Sequence, residues 1–338
     1  MARVLVVSLN YKTAEMTLRS MRAALRAMDG MDAELVVVDN ASGDGSFERI
    51  SQAVSSEDWA QGVPIRVVQS GVNGGFGAGN NVGMRAGMSD GSAPDYVYLL
   101  NSDAFPAPDA IWQLHDHLEG HPEAGFAGSY IHGEEGDAHV TAFRFPSIWS
   151  ELEGAVRFGP VSRLLSGKSV PIGVPKATQR VDWLAGASIM MRHSVLEDIG
   201  LFDETFFLYF EETDLCLRAA RAGYETHYVR DSEVAHIGSV STGMKKWTRI
   251  PGFWLDSRWH YFSKNHGRGY AALATLMHGL GGAVWRLRVL VQGKTPSPPP
   301  HFLRDLLAHD LKALFRPLPG KHKAAPQRVR VAAELETE

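Results

Sequence analysis

Three carboxylates, Glu211, Glu212 and Asp214, follow directly on the run Phe206-Phe207-Leu208-Tyr209-Phe210. Charge packed against such a run loses hydration, which raises a carboxylate pKa toward the range wanted in a general base. Adjacent Glu211 and Glu212 cannot both turn away from the aromatic cluster, so proton transfer is the role expected of this pair. Asp214 has Arg218 four residues on, a spacing that also suits a structural ion pair. A second acid, Asp103, closes Asn101-Ser102-Asp103 just after the apolar run 96–100. One carboxylate suffices for a hard divalent cation such as Mg²⁺ or Mn²⁺ when substrate phosphates complete its shell, although Asn-Ser-Asp is equally ordinary turn chemistry. Asp39 ends another apolar run. A carboxylate accepts hydrogen bonds and cannot donate them, so Asp39 suits the imide N–H of uracil or thymine; Ser42 and Asp44 read as helix caps.

The glycine run Gly74-Gly75-Phe76-Gly77-Ala78-Gly79 has neither the order of a dinucleotide fingerprint nor a following Walker Lys-Ser/Thr. It is a tight strand-to-helix turn or, given Asn73, Asn80 and Asn81 around it, a ligand contact. His236 is a lone histidine beyond the apolar run 226–229.

The elements that must position these residues repeat one theme in the first hundred positions. Short β-branched runs at 4–8, 34–38, 65–69 and 96–100 alternate with helical periodicity at 13–28, 45–54 and 76–88, which is the spacing of βαβ units and predicts an α/β fold, a Rossmann-like, mostly parallel sheet with helices on both faces. Ligands of such sheets bind at the carboxyl ends of the strands, where Asn10-Tyr11, Asp39, Asn73 and Asn101-Ser102-Asp103 fall. Residues 130–180 are weakly patterned, with some helix near 150–158. Pattern returns with an apolar run at 181–191, a helix at 194–199, a helix at 212–222 ended by Gly223 and a strand at 226–229. An amphipathic piece at 302–315 follows the prolines at 296 and 298–300, and the last residues read as disordered. The domains expected are 1–244, an extension at 245–294, and a linker, short helix and tail at 295–338.

A chain of 338 residues with a net charge of −4 and a pI near 6.4 is no dedicated nucleic-acid binder. The mean hides an asymmetry: residues 1–244 carry 18 basic and 32 acidic side chains, and residues 245–338 carry 16 and 6. The one cysteine, Cys216, excludes an intramolecular disulfide and any multi-cysteine metal site. With no signal-peptide pattern at the start, a cytoplasmic protein is expected. The apolar stretch 271–291 is broken by His278, Arg286 and Arg288 and makes a poor membrane span.

In order and in register, Val6-Val7-Ser8-Leu9-Asn10-Tyr11, Val38-Asp39-Asn40-Ala41-Ser42, the segment 73–80, Leu99-Leu100-Asn101-Ser102-Asp103, Trp183-Leu184-Ala185-Gly186-Ala187, the segment 206–218 and the segment 236–242 resemble the inverting family 2 glycosyltransferases of the GT-A fold. The flavour is that of bacterial rhamnosyltransferase-like enzymes of polysaccharide assembly. The resemblance covers residues 3–242. It implies a nucleotide-sugar donor (dTDP-rhamnose, then UDP-hexoses), held by Asn10, Tyr11, Asp39, Asn73, Asn80 and Ser102. It implies Mg²⁺ or Mn²⁺ on Asp103, the last position of the family's D-x-D element, with His236 completing the site; Asn101 stands at the first acidic position. Glu212 occupies the base position beside Glu211. Trp183 and Gly186 match the acceptor-facing segment, with Asp214 on the acceptor side. The acceptor implied is a hydroxyl of a glycan or of a polyprenyl-diphosphate-linked saccharide. A non-catalytic sugar-nucleotide or glycan-binding module of the same fold is the alternative, against which the joint presence of Asp103, Glu211, Glu212 and His236 argues. A nucleotidyltransferase would need a glycine loop with a basic residue near 9–13, which is absent.

Residues 245–294 interleave Trp247, Trp254, Trp259 and Trp285 with Lys245, Lys246, Arg249, Arg258, Lys264 and Arg268. Such a segment suits an anionic membrane interface, or else packs as a basic helix against the acidic body.

Overall fold

The computed structural model describes residues 2–56, 59, 62–238, 247–293 and 301–316, and the backbone of 330–331. The second half of the segment 236–242, Lys245 and Lys246, the prolines before residue 301 and most of the tail lie outside the described residues.

The predicted alternation is present, with β1 (Arg3–Asn10), α1 (Ala14–Ala27), β2 (Asp32–Asp39), α2 (Ser46–Ser56), β3 (Ile65–Gln69), α3 (Gly75–Ala86) and β4 (Tyr96–Asn101) in turn. Strands β3, β2, β1 and β4 lie side by side and parallel. Period-2 side chains explain why helices cover both faces. Val4 and Val6 of β1 join Leu35 and Val37 in a core capped by α1. Leu5 and Val7 join Val36 and Val38 in a second core on the opposite face, with Val82 and Met84 of α3. Helix α3 approaches β1 closely because its glycines lack side chains: a Cβ on Gly83 would lie 2.4 Å from a Val7 methyl.

Sequence reading placed no element between 104 and 130, yet β5 (Ala104–Pro106), α4 (Ala110–Gly120) and β6 (Ala124–His132) stand there. The weakly patterned stretch contains β7 (Ala142–Phe143), α5 (Ile148–Val156), α6 (Gly159–Leu164) and β8 (Gln179–Val181). Then follow β9 (Trp183–Leu184), β10 (Ser188–Arg192), α7 (His193–Ile199), α8 (Glu211–Ala222) and β11 (Glu225–His236). The sheet is therefore mixed: β10 runs antiparallel between β4 and β6, and β6 pairs in parallel with β11. Since β10 reverses twice, β4, β6 and β11 all end on the same edge as β1 and β2.

The extension forms α9 (Gly252–His266), α10 (Arg268–Val291) and α11 (Phe302–Phe315). Two tail residues, β12 (Arg330–Val331), pair with β3 where disorder was expected. Most of the residues that suggested a membrane interface are engaged internally. Trp259, Tyr261 and Phe262 join Phe206 and Leu217 in a third core, and Trp254 packs edge-on against Phe210 and Phe302. Arg258, 1% exposed, bridges Glu151 of α5 and Asp310 of α11, each at 2.9 Å. Burial opposes charge on Glu151, but Arg258 and His278 outweigh it and hold the carboxyl at about 2. The surface that α10 does present is apolar: Leu273, Leu276, Leu280, Val284, Leu287 and Leu290 are all exposed at three- and four-residue spacing. Among the described residues, no helix is long and apolar enough to cross a membrane.

Candidate active site

A cavity of about 810 Å³ opens at the carboxyl edge of the sheet. Its walls come from the ends of β1 (Leu9, Tyr11), β4 (Asn101, Ser102, Asp103) and β11 (His236), from the start of α3, and from the loops 137–141, 185–187 and 207–209.

Asp39 and Asn10 are neighbours because β1 and β2 pair in register, Asn10 opposite Asp39. Asn10 Nδ2 donates to Asp39 Oδ1 at 2.7 Å, and Ser42 donates to both Asp39 oxygens, from Oγ to Oδ1 at 2.6 Å and from its backbone N–H to Oδ2 at 3.1 Å. Asn10 Oδ1 accepts from Thr13 and Thr17. Both side chains are buried behind the wall that Tyr11 and Asn40 present to the cavity. Asn10 thus orients Asp39, and Ser42, read from sequence as a cap, is part of the same network.

Asn73 lines the cavity and shapes the glycine turn. Its Oδ1 accepts from Asn40 Nδ2 and from the Gly75 N–H, each at 3.1 Å. Gly75 has φ +91°, and a Cβ there would lie 1.7 Å from the Phe207 carbonyl oxygen, which accepts the Phe76 N–H at 3.0 Å. Only glycine allows this approach. The turn into α3 thereby borders the cavity at Gly75 and Phe76, whose N–H groups are held by Asn73 and Phe207. Asn80 is buried and donates to Phe76 O, so it supports the turn without lining the cavity.

Asp103 and His236, 133 residues apart in sequence, meet at the cavity floor with Oδ1 and Nε2 3.0 Å apart. The Asn101 amide lies 3.4 Å from the same ring nitrogen, and Ser102 Oγ is 3.3 Å from Thr13 Oγ1. One carboxylate, one imidazole and one amide that line an open cavity fit a divalent cation whose remaining ligands come from a bound diphosphate. Sequence reading missed Asp137, His139 and Phe253, which line the same cavity. His139 sits edge-on to His236 at 6.3 Å between ring centroids; its signal was hidden in the weakly patterned stretch.

Backbone strain sets up the Glu pair. Tyr209 and Phe210, bulky residues with φ +70° and +69°, turn the chain directly into α8. Glu212 Oε1 accepts the Gly186 N–H at 3.1 Å. A Cβ on Gly186 would be 2.9 Å from that oxygen and 3.0 Å from the Phe76 ring. The carboxylate therefore lies just behind the wall made by Phe76, Ala185 and Ala187. Burial raises the Glu212 pKa, against the pull of its own N–H and that of Gly186. Glu211 is 1% exposed, and among the described residues its Oε2 has no hydrogen-bond partner. Burial pushes its pKa well above the usual carboxylate range, and the charge of Glu212 pushes it further. Both carboxyls thus hold their protons more tightly than usual, Glu211 the more strongly for want of a donor to its Oε2.

Two acceptor-side expectations change. Asp214, fully buried, binds Arg218 Nε, Lys264 Nζ and Asn265 Nδ2 at 2.9, 2.7 and 2.9 Å. It does not line the cavity; it fastens α8 to α9. Trp183 stacks on Phe143 with centroids 4.2 Å apart and donates to Arg144 O, which holds β9 against β7 and so carries the 185–187 loop. A second cavity, about 610 Å³, lies behind Phe207 and Phe253. Its Lys264 is engaged by Asp203 and Asp214, and its Arg268 by the carbonyls of Leu314 and Arg316, which leaves the first cavity as the place for chemistry. Among the described residues, the set of three ligand-type side chains with mutually close atoms, Glu123, Glu225 and His227, is at the other end of β11.

The family model of Glycosyltransferase like family 2 matches residues 2–251. The chain is 28% identical over 234 residues to the N-acetylglucosaminyl-diphospho-decaprenol L-rhamnosyltransferase of Mycobacterium tuberculosis, covering 62% of this chain and 68% of that protein. It is 28% identical over 218 residues to a low-salt glycan biosynthesis hexosyltransferase of Haloferax volcanii, covering 64% and 61%. In fold it is similar to the mannosyltransferase of Pyrobaculum calidifontis solved with GDP-Man and Mn²⁺, with a TM-score of 0.53, 17% identity and coverage of 92% and 80%. With a match over most of the chain, and a cavity at the sheet edge where the family's motifs converge, the protein belongs to glycosyltransferase family 2 and is a glycosyltransferase of the GT-A fold, an inverting enzyme that moves a sugar from a nucleotide-sugar to a glycan or lipid acceptor.

Proposed function

We propose that the enzyme transfers a deoxyhexosyl or hexosyl group, dTDP-rhamnose first and UDP-hexose next as donors, to a hydroxyl of a polyprenyl-diphosphate-linked saccharide. The observation that carries the reading is the meeting of Asp103 with His236 at 3.0 Å, on a cavity whose 185–187 wall is backed by Glu212. The mycobacterial relative, named for rhamnosyl transfer to a diphospho-decaprenol-linked sugar, supports both donor and acceptor class.

In this scheme Tyr11, Asn40 and Asn73 border the nucleoside, with Asp39 held behind them by Asn10 and Ser42. The turn into α3, shaped by Asn73 and Gly75, borders the diphosphate. Asp103, His236 and Asn101 would hold Mg²⁺ or Mn²⁺, which, when bound, neutralises charge on the leaving diphosphate as the glycosidic C–O bond breaks. Glu212, with one oxygen fixed by Gly186, takes the proton of the acceptor hydroxyl with the other. The freed oxygen attacks the anomeric carbon from the face opposite the diphosphate, and the configuration inverts. Glu211, kept neutral, leaves the negative charge of the pair on Glu212.

A lipid-linked acceptor brings the enzyme to a bilayer, and the exposed leucine face of α10, in a tail with excess positive charge, supports contact with an anionic surface. Screening nucleoside diphosphates and their sugars by thermal shift, with and without Mn²⁺, tests the donor, because a bound ligand raises the melting temperature by mass action. Thymidine or uridine diphosphates should give the largest shifts; a guanosine diphosphate preference overturns the donor assignment. Flotation with anionic vesicles should carry the wild type upward and leave a Leu280→Glu, Leu287→Glu variant below. A wild type that stays below refutes the membrane contact.

A further inference from the structure

Strand β11 joins two histidine sites. His236 at its carboxyl end belongs to the cavity. At its other end, roughly 30 Å away at about 3.3 Å per residue, stand Glu225 and His227. Three imidazoles converge there: His117 near the end of α4 and His121 just past it stack at 4.1 Å between centroids, and the His227 ring lies 5.1 and 5.6 Å from them. His227 Nε2 is 3.0 Å from Glu225 Oε2, and its Nδ1 is 2.8 Å from His117 Nε2. Glu123, exposed on the turn into β6, completes a set whose ligand atoms all lie within 4.8 Å of one another. Nothing in the transfer reaction uses these residues.

We propose that Glu123, Glu225 and His227 form a second, structural metal site that binds a divalent transition-metal ion of the zinc class, remote from the sugar-transfer cavity. The donor set of one imidazole and two carboxylates suits Zn²⁺, which takes nitrogen and oxygen ligands at about 2.0–2.2 Å in a tetrahedron, so that ligand atoms sit about 3.3 Å from each other. The His227–Glu225 pair already has that separation; only the exposed Glu123 side chain has to swing inward. An ion at Nε2 fixes His227 as the tautomer that carries its proton on Nδ1, and His117 Nε2 stands where that N–H points. This is the outer hydrogen bond that metal-bound histidines ordinarily make. The Nη1 of Arg180 occupies the other Glu225 oxygen, which leaves Oε2 for the ion. Bound there, the ion ties the turn before β6 to the start of β11, the strand that ends at His236.

Isothermal titration of the metal-stripped full chain with Zn²⁺, without nucleotide, tests the site. One ion should bind per chain and raise the melting temperature. Binding should persist in Asp103→Ala, be lost in His227→Gln and Glu225→Gln, and weaken roughly 10- to 100-fold in His117→Ala. Glu225→Gln, a conservative change at a partly exposed position, keeps the test valid if His227→Gln fails to fold. Absence of stoichiometric zinc binding overturns the proposal. So does binding unchanged in Glu225→Gln, or binding lost in Asp103→Ala, which would assign the ion to the transfer cavity.

Discussion

The first turn of α8 faces two regions of the molecule with opposite electrostatic designs. Toward the extension, Asp214 has donors from Arg218, Lys264 and Asn265 and is a finished structural joint. On the side of α3 and Gly186, Glu211 has, among the described residues, an oxygen with no partner and Glu212 has one backbone N–H. Glu211 and Asp214 share one helix turn and near-complete burial, so partners separate these two. A carboxylate matched by cations stays charged and inert, whereas one left short of donors holds its proton more tightly and becomes a proton-transfer group.

The contrast can be broken by substitution. Glu212→Gln should reduce sugar transfer by roughly 10²- to 10⁴-fold, the range of general-base catalysis, while nucleoside diphosphate binding by calorimetry stays nearly the same. Retention of more than a few per cent of turnover would move the base role to Glu211. Asp214→Ala takes one acceptor from Lys264 and Arg218, which keep Asp203 and the carbonyls of residues 199–201, and should cost about 1–3 kcal/mol in urea unfolding; a cost near zero would refute the joint between α8 and α9.

Titration sharpens the same contrast. Glu151 of α5, which like Asp214 is tied to the extension by cations, is lowered from 4.5 to about 2. Its depressed pKa contributes stability that is present above pH 4.5 and lost as pH falls toward 2, up to about 3 kcal/mol. Acid unfolding followed by tryptophan fluorescence should show this loss, and Arg258→Met should remove it. Glu211 has the opposite sign. Its folded pKa is raised, so its favourable neutral form is fully present below pH 4.5 and that stability is lost as pH rises through the folded value. Glu211→Gln should therefore stabilise the protein by about 1 kcal/mol at pH 8, with the gain vanishing below pH 4.5. A constant gain across that range would mean that Glu211 does not titrate.

The same physics explains what could be read from the sequence. The parallel half was legible because β-branched runs and helical periods alternate cleanly over 3–101, and every strand there ends in a polar residue. The segment 104–132 was not, because β6 reads Ala-Gly-Phe-Ala-Gly-Ser-Tyr-Ile-His, with small residues that pass for a loop. Asp103 and His236 were recognised from motif order, but their contact depends on β5 pairing antiparallel with β11, which sets His236 opposite Ala104 and which no local pattern encodes. Asp137 and His139 had no motif to mark them. In the extension, charge and aromatic content were correctly noticed, yet composition does not tell inside from outside. Arg258 looks like a surface cation in sequence and is buried between two acids.

The most direct test measures nucleoside diphosphate affinity with and without Mn²⁺ in the wild type and in Asp103→Ala. Mn²⁺ should tighten wild-type binding by at least about tenfold, equivalent to about 1.4 kcal/mol, and should have no effect on the variant. Equal affinities with and without Mn²⁺ in the wild type, or an undiminished Mn²⁺ effect in Asp103→Ala, would contradict the account.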